Sequence, residues 1–178
     1  MKRRRRKDDG FTLIELMIVI AVIGILAIVL VPKFAGVKTS AKLVGVTTNV
    51  HELDTYITSQ IGNWNAQATS GNAADAIASA AIIANYAGTS PDASKNMTNP
   101  ISGQTLIESS VASGTVGKAA TDAAIICDSG KTPSSLPAGG VVVTITMDTT
   151  NTTQISSVSI QGYDNSSKPY GPAVTVTP

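Results

Sequence analysis

Residues 10–36 read Gly10-Phe11-Thr12-Leu13-Ile14-Glu15, then LMIVIAVIGILAIVLV from Leu16 to Val31, then Pro32-Lys33-Phe34-Ala35-Gly36. Of the 21 residues from Phe11 to Val31, only Glu15 is charged. At 1.5 Å of rise per residue a helix of that length covers about 30 Å, the thickness of a bilayer core, and the stretch reads as a membrane-spanning segment. The fold is decided here, because a chain that opens on such a segment must place its remaining residues on one side of a membrane.

What precedes the span orients it. Lys2, Arg3, Arg4, Arg5, Arg6 and Lys7 hold six of the 13 basic residues. By the positive-inside rule they keep residues 1–10 in the cytoplasm and send residues after the span outward. Without residues 1–10 the chain has 7 basic and 10 acidic residues, a net charge of −3, so the basic character belongs to the leader and the body is mildly acidic. A secretory signal wants a shorter apolar run and a small-residue cleavage site at its outer end. This run is too long and passes through Pro32 into Lys33 without such a site. A plain single-span anchor fits the length but leaves Glu15 unexplained, since a carboxylate in hydrocarbon costs on the order of a few kcal/mol, although near the helix end it could partly reach the interface and the cost alone does not decide.

A small residue, an aromatic, a carboxylate four positions later and an unbroken apolar helix, all behind a short basic leader, form a specific combination. Gly10 to Glu15 with the following span resembles the prepilin signature of type IV pilins and their pseudopilin relatives, closely over residues 6–36 and loosely over the helix beyond. The resemblance implies cleavage between Gly10 and Phe11 by a membrane prepilin peptidase and N-methylation of Phe11. It matches Glu15 to the assembly carboxylate of the family, and Gly24 and Pro32 to positions where pilin helices loosen in filaments. The partners it implies are further copies of the chain, an assembly ATPase, an inner-membrane platform and, before assembly, membrane lipid. The implied locations are the cytoplasmic membrane for the precursor and an extracellular filament for the polymer. Cleavage would create an ammonium on Phe11, and a neighbour's Glu15 meeting it in a filament core would fix register, because a subunit at the wrong height leaves a charge buried and unpaired. Gly and Pro also weaken a helix physically, by entropy and by a lost hydrogen bond, so the stretch between Gly24 and Pro32 is cheap to unwind; a simple proline kink is the alternative.

The helical pattern continues past the span. Leu43, Val46, Val50, Leu53, Ile57 and Ile61 recur every three or four residues, with Lys38, Lys42, Asn49, Glu52 and Ser59 elsewhere around the cylinder. One helix from about Thr12 to Ile61 is expected, with Gly62-Asn63 as its stop. The expected organisation is a leader at 1–10, a span at 11–32, an amphipathic continuation at 33–61 and a head at 62–178. Within the head, 73–87 is Ala-rich and reads as a short helix, 88–122 as a loop and 123–178 as a sheet. Candidate strands are Ala124–Cys127, Val141–Met147, Ile155–Ile160 and Ala173–Val176, the middle two as an antiparallel hairpin. The class is α+β: a long N-terminal helix packed on an antiparallel sheet, the pilin fold.

The rest of the composition narrows the chemistry. One cysteine, Cys127, and one histidine, His51, argue against zinc, iron–sulfur and disulfide-stapled proteins. His51 falls inside the helical pattern and reads as a polar helix position. Cys127 reads as a small buried hydrophobe, and departs from pilins that lock the C-terminal region with a disulfide. Asp122, Asp128, Asp148 and Asp164 have no EF-hand spacing, so no metal or cofactor is assigned. No nucleophile, base and orienter assemble, so an enzyme is not expected. An acidic body without an aromatic and basic cluster gives no support for nucleic-acid binding. The function that the prepilin resemblance implies is a structural filament subunit of a type IV pilus. A type II secretion pseudopilin or minor pilin is the alternative within the family, and a single-span anchored surface binding protein the alternative outside it.

Overall fold

A computed structural model describes residues 11–86, 95–105, 107–109, 123–129 and 136–178. Helix α1 runs Leu13–Gln67 and α2 Ala74–Tyr86; five strands follow, β1 Ile107–Ser109, β2 Ile125–Ser129, β3 Val141–Met147, β4 Ile155–Tyr163 and β5 Pro169–Val176. The chain divides into two compact units, Met1–Ser40 and Ala41–Pro178.

In the first unit the described residues are the start of α1, and its apolar side chains stay outside any core. Leu13, Ile14, Met17, Ile20, Ile25 and Val31 are all more than 60% exposed. No residue of its most apolar 18-residue window is buried. A helix apolar around its whole circumference is stable only where something other than water covers it, and this one is long and apolar enough to cross a membrane.

The second unit is built around the stripe read from the sequence. Val46, Val50, Leu53, Ile57 and Ile61 are buried, and Trp64 extends the row by one more turn. α2 adds Ala74, Ala78 and Ile82, spaced by four, and Tyr86. The sheet supplies Ile125, Cys127, Val141, Val143, Ile145, Val158 and Ile160 to the same core. Each large aliphatic side chain buried here contributes about 1.5–3 kcal/mol over the exposed state. Tyr56 meets the rings of Trp64 and Tyr86 edge-on, with centroids 6.0 and 5.4 Å apart, and joins the two helices. Burial pushes the Tyr86 hydroxyl up to about 12, helped by the charge of Glu52.

The sheet order is β1-β2-β3-β4-β5. The expected hairpin is present: β3 and β4 pair antiparallel from Val141↔Gly162 to Met147↔Ile155, and β5 closes antiparallel on β4. β1 and β2 join in parallel, which makes the sheet mixed where a wholly antiparallel one was expected. The α+β arrangement of long helix and following sheet stands.

Helix α1 passes the expected stop at Gly62-Asn63. Glycine there costs about 1 kcal/mol relative to alanine, and two later contacts outweigh it. Trp64 is buried, and the Asn65 side chain clamps the start of β4, accepting from the Ile155 N–H at 2.7 Å and donating to the Ile155 carbonyl at 3.0 Å. The strands also extend beyond their β-branched runs, β4 through Gly162 and Tyr163 and β5 back to Pro169. β1 lies where a loop was read. Most of that expected loop, with Gly88 and Asp122, falls outside the described residues.

The segment Lys95–Gln104 lies along α1. Asn49 donates to the Thr98 carbonyl and Lys42 to the Ile101 carbonyl, each at 3.0 Å. A Cβ on Gly45 would stand 2.7 Å from Cγ of Pro100. Gly→Ala inside a helix ordinarily stabilises by about 1 kcal/mol. Here the sign is expected to reverse: Gly45→Ala should lower stability by about 1 kcal/mol, because the rigid proline ring must move. Thermal melting of the detergent-solubilised chain checks it, with Gly62→Ala, which meets no neighbouring atom within 4 Å, as the stabilising control.

Candidate functional site

The N-terminal end of α1 holds the residues on which a functional reading rests. Phe11 is 92% exposed, and Thr12 precedes the first helical residue, Leu13. The Thr12 side chain accepts a hydrogen bond from the Glu15 N–H at 3.3 Å. In return the Glu15 carboxylate accepts from the Thr12 N–H at 2.9 Å and from its hydroxyl at 2.7 Å, both on Oε2. This is a reciprocal capping box, with Thr12 at the N-cap and Glu15 at the third helical position. The first amides of a helix lack partners within it, and a negative charge is favourable beside them. The box therefore satisfies two orphan donors and gives the single carboxylate of the apolar run partners from its own chain.

Thr12 was missed in the sequence reading. The signal was available in the spacing Thr12-Leu13-Ile14-Glu15, a hydroxyl three residues ahead of a carboxylate before an apolar run. Gly10 lies outside the described residues. Gly24 and Pro32 sit within continuous helix, and a Cβ at Gly24 would meet nothing within 4 Å. At 1.5 Å per residue they are about 14 and 26 Å along the helix from Glu15, so the fold does not bring them to the capping box.

Other polar candidates serve the fold. His51 is exposed on α1, as a polar helix position should be. Cys127 lies wholly inside the core, and burial, followed by the charge of Asp128, pushes its thiol up to about 12, which suppresses the reactive thiolate. Among the described residues no three His, Cys, Asp or Glu side chains gather as a metal set. Asp148 accepts from the Thr150 and Asn151 amides in the β3–β4 turn, each at 2.7 Å. Asp164 accepts from Ser166 and Lys168 in the β4–β5 turn, at 2.7 and 2.9 Å.

Those amide bonds hold both carboxyls below the usual range, chiefly through Asn151 for Asp148 and Lys168 for Asp164. A carboxyl with a depressed folded pKa stabilises the fold above its unfolded value, near 3.9, and that contribution is lost as pH falls through the folded value. The melting temperature is therefore expected to be insensitive to these groups from pH 8 to 5 and to fall below about pH 4. Asp148→Asn with Asp164→Asn should flatten that acid limb, which thermal scans across pH would show.

Comparison with known proteins bears on the same end of the chain. Residues 5–31 match the family model described as the prokaryotic N-terminal methylation motif. The chain is 44% identical over 55 residues to the type IV major pilin protein PilA of Myxococcus xanthus, which covers 31% of this chain and 25% of that one. It is 51% identical over 39 residues to prepilin peptidase-dependent protein A of Clostridium perfringens, 22% of this chain and 28% of that one. It is 40% identical over 54 residues to type II secretion system core protein G of Klebsiella michiganensis, 30% of this chain and 38% of that one. The matched lengths thus span between a quarter and two fifths of these relatives. No solved structure matches the chain. The recognition made from Gly10 to Glu15 is borne out: the chain carries the methylation motif and is similar over its matched part to pilin and pseudopilin proteins.

Proposed function

We propose that this chain is a filament subunit of the type IV pilus kind, cut between Gly10 and Phe11, N-methylated on Phe11 and polymerised through the first part of α1. The observation that carries the reading is the capping box, set directly behind Phe11 at the head of a helix whose most apolar 18-residue window buries none of its residues. In the membrane-held precursor, Thr12 supplies partners for the Glu15 carboxylate. Hydrolysis of the Gly10–Phe11 bond adds an ammonium one residue ahead of the box, and methylation leaves its charge in place. When helices bundle, the Phe11 ammonium of one copy meets the Glu15 carboxylate of another, and a charge-assisted hydrogen bond in low dielectric selects the one axial offset that pairs both. The exposed apolar side chains between Leu13 and Val31 then pack on their counterparts, with the heads outside. An assembly ATPase and a membrane platform supply the work of extraction.

Similarity to secretion core protein G supports a second reading, a pseudopilin with the same processing and packing. Intact mass and N-terminal sequence of the protein sheared from cells separate the readings. An abundant chain beginning at methylated Phe11 is the expected result. A Phe11 start confined to membranes assigns a pseudopilin or minor pilin, and an intact Met1 start overturns the proposal.

A further inference from the structure

Among the described residues no strand pairs with the outer side of the last strand. β5 is the end of the strand order, and among the described residues only β4 pairs with it. Its first half is a poor template for another strand: Pro169 and Pro172 lack an N–H, and Gly171 has φ +74°. Its second half has none of these blocks. Ala173-Val174-Thr175-Val176-Thr177 is β-branched at four of five positions, and the whole stretch 169–178 has no charged side chain to repel a like strand. Proteins commonly guard such edges with lysine or proline; here prolines stand at 169, 172 and 178, and none lies within 173–177.

The unpaired backbone dictates that the occupant is a β-strand, and the side chains say which. β5 alternates: Val174 and Val176 turn toward the core, while Ala173 and Thr175 are exposed. Thr175 lies in a cross-strand row of hydroxyls, Thr144↔Ser159↔Thr175. Antiparallel pairing of this stretch with its own copy, centred on Thr175, places Thr175 opposite Thr175, Val174 opposite Val176 and Ala173 opposite Thr177. Every apolar residue then meets an apolar one on one face, and small or hydroxyl residues meet on the other, the kinds of pair that stabilise adjacent strands. The hydroxyl row runs on unbroken into the second sheet.

We propose that Ala173–Thr177 is a self-association edge, which joins two copies of this chain, antiparallel and two-fold, into one continuous sheet. The contact does not depend on the filament reading. If heads are displayed on filaments, it joins one filament to the next, because a two-fold contact closes on itself and cannot propagate along a single filament.

Cysteines added one at a time to the full-length chain, whose own Cys127 is buried, and oxidised on cells with copper phenanthroline and air, test the pairing. Directly opposed antiparallel residues have Cα atoms about 4.5–5.5 Å apart, inside the roughly 4.4–6.8 Å that a disulfide spans. Thr175→Cys is expected to give a disulfide-linked dimer. Ala173→Cys is the register control, since two Ala173 positions would lie about 14 Å apart at 3.4 Å per residue, and Thr146→Cys is the control for an exposed site elsewhere on the sheet. At least a fivefold excess of dimer for Thr175→Cys over both controls supports the two-fold edge, and adding Lys at Val174's exposed neighbour, as Ala173→Lys with Thr175→Cys, should remove it. Equal cross-linking at all three positions, none at Thr175, or capture of a different protein there overturns the proposal. The shear fraction is read in parallel: filaments without the Thr175 dimer leave the functional reading intact, and a dimer in membranes without filaments leaves only the edge.

Discussion

Glu15→Val is expected to leave the chain in the membrane and to lower its amount in sheared surface filaments by at least tenfold. Valine removes the carboxylate that would meet the Phe11 ammonium of a neighbour, while the apolar span keeps its length. An ammonium left unpaired in a packed core costs about 3–5 kcal/mol, and each 1.4 kcal/mol is a factor of ten in an equilibrium, so a tenfold loss is the low end. The capping box makes the test sharper. Glu15→Gln retains an oxygen that accepts from the Thr12 N–H and hydroxyl but removes the charge. Thr12→Val does the reverse: it removes the hydroxyl at the N-cap, worth about 1 kcal/mol, and leaves the carboxylate in place. If charge pairing sets register, Gln should behave like Val at residue 15, and Thr12→Val should assemble at a reduced level. If Gln assembles as the parent does, the pairing account of Glu15 fails and only its capping remains. Quantifying the chain in shear and membrane fractions, with its N-terminal mass, reads all three variants.

Much of this arrangement was legible because it repeats along the chain. The span is 21 residues with one charge, and the stripe from Val46 to Ile61 recurs with helical period, so each position reinforces the next. Strands β3 and β4 announced themselves by Val and Ile interleaved with Thr in β3 and Ser in β4. What escaped the reading is set by single contacts between distant residues. α1 outran Gly62 because Trp64 finds a core and Asn65 finds the backbone of Ile155, 90 residues away. β1 is three residues long within a run rich in Ser, Thr and Gly, and its pairing to β2 comes from the tertiary fold alone. At the candidate site the carboxylate was legible, and its local partner Thr12 was overlooked although the capping spacing was present.

Asn99 shows the same limit and carries the largest expected effect on the head. Nothing in Thr98-Asn99-Pro100 marks it as more than a turn residue, yet it is fully buried. Its side-chain amide donates to the carbonyls of Ala123 and Ala138, both at 2.9 Å, and its oxygen accepts from the Ile101 and Ser102 amides at 2.8 and 3.1 Å. One side chain thus ties three separate segments, and space around it is tight: Gly139, at φ +79°, would place a Cβ 2.8 Å from the Asn99 Oδ1. Asn99→Asp keeps the shape and replaces the donor nitrogen by an oxygen facing two carbonyls. Ionised, it is a buried charge among acceptors; protonated, it offers one donor where two are needed. A cost of about 4 kcal/mol or more is expected at pH 7, against the 5–15 kcal/mol typical of a whole domain, with a fall in melting temperature of roughly 10 °C or more. Asn99→Ala, which leaves the same groups unpaired without adding a charge, should cost about 3 kcal/mol. The two variants also separate by pH. Burial raises the folded pKa of the new carboxyl above its unfolded value, so the neutral form's contribution is present below that unfolded value and lost as pH rises. Measured against the parent at each pH, the Asp deficit should shrink toward pH 4 while the Ala deficit stays constant. Equal deficits at both pH values would mean that the amide's geometry, and not its donor nitrogen, fastens the three segments.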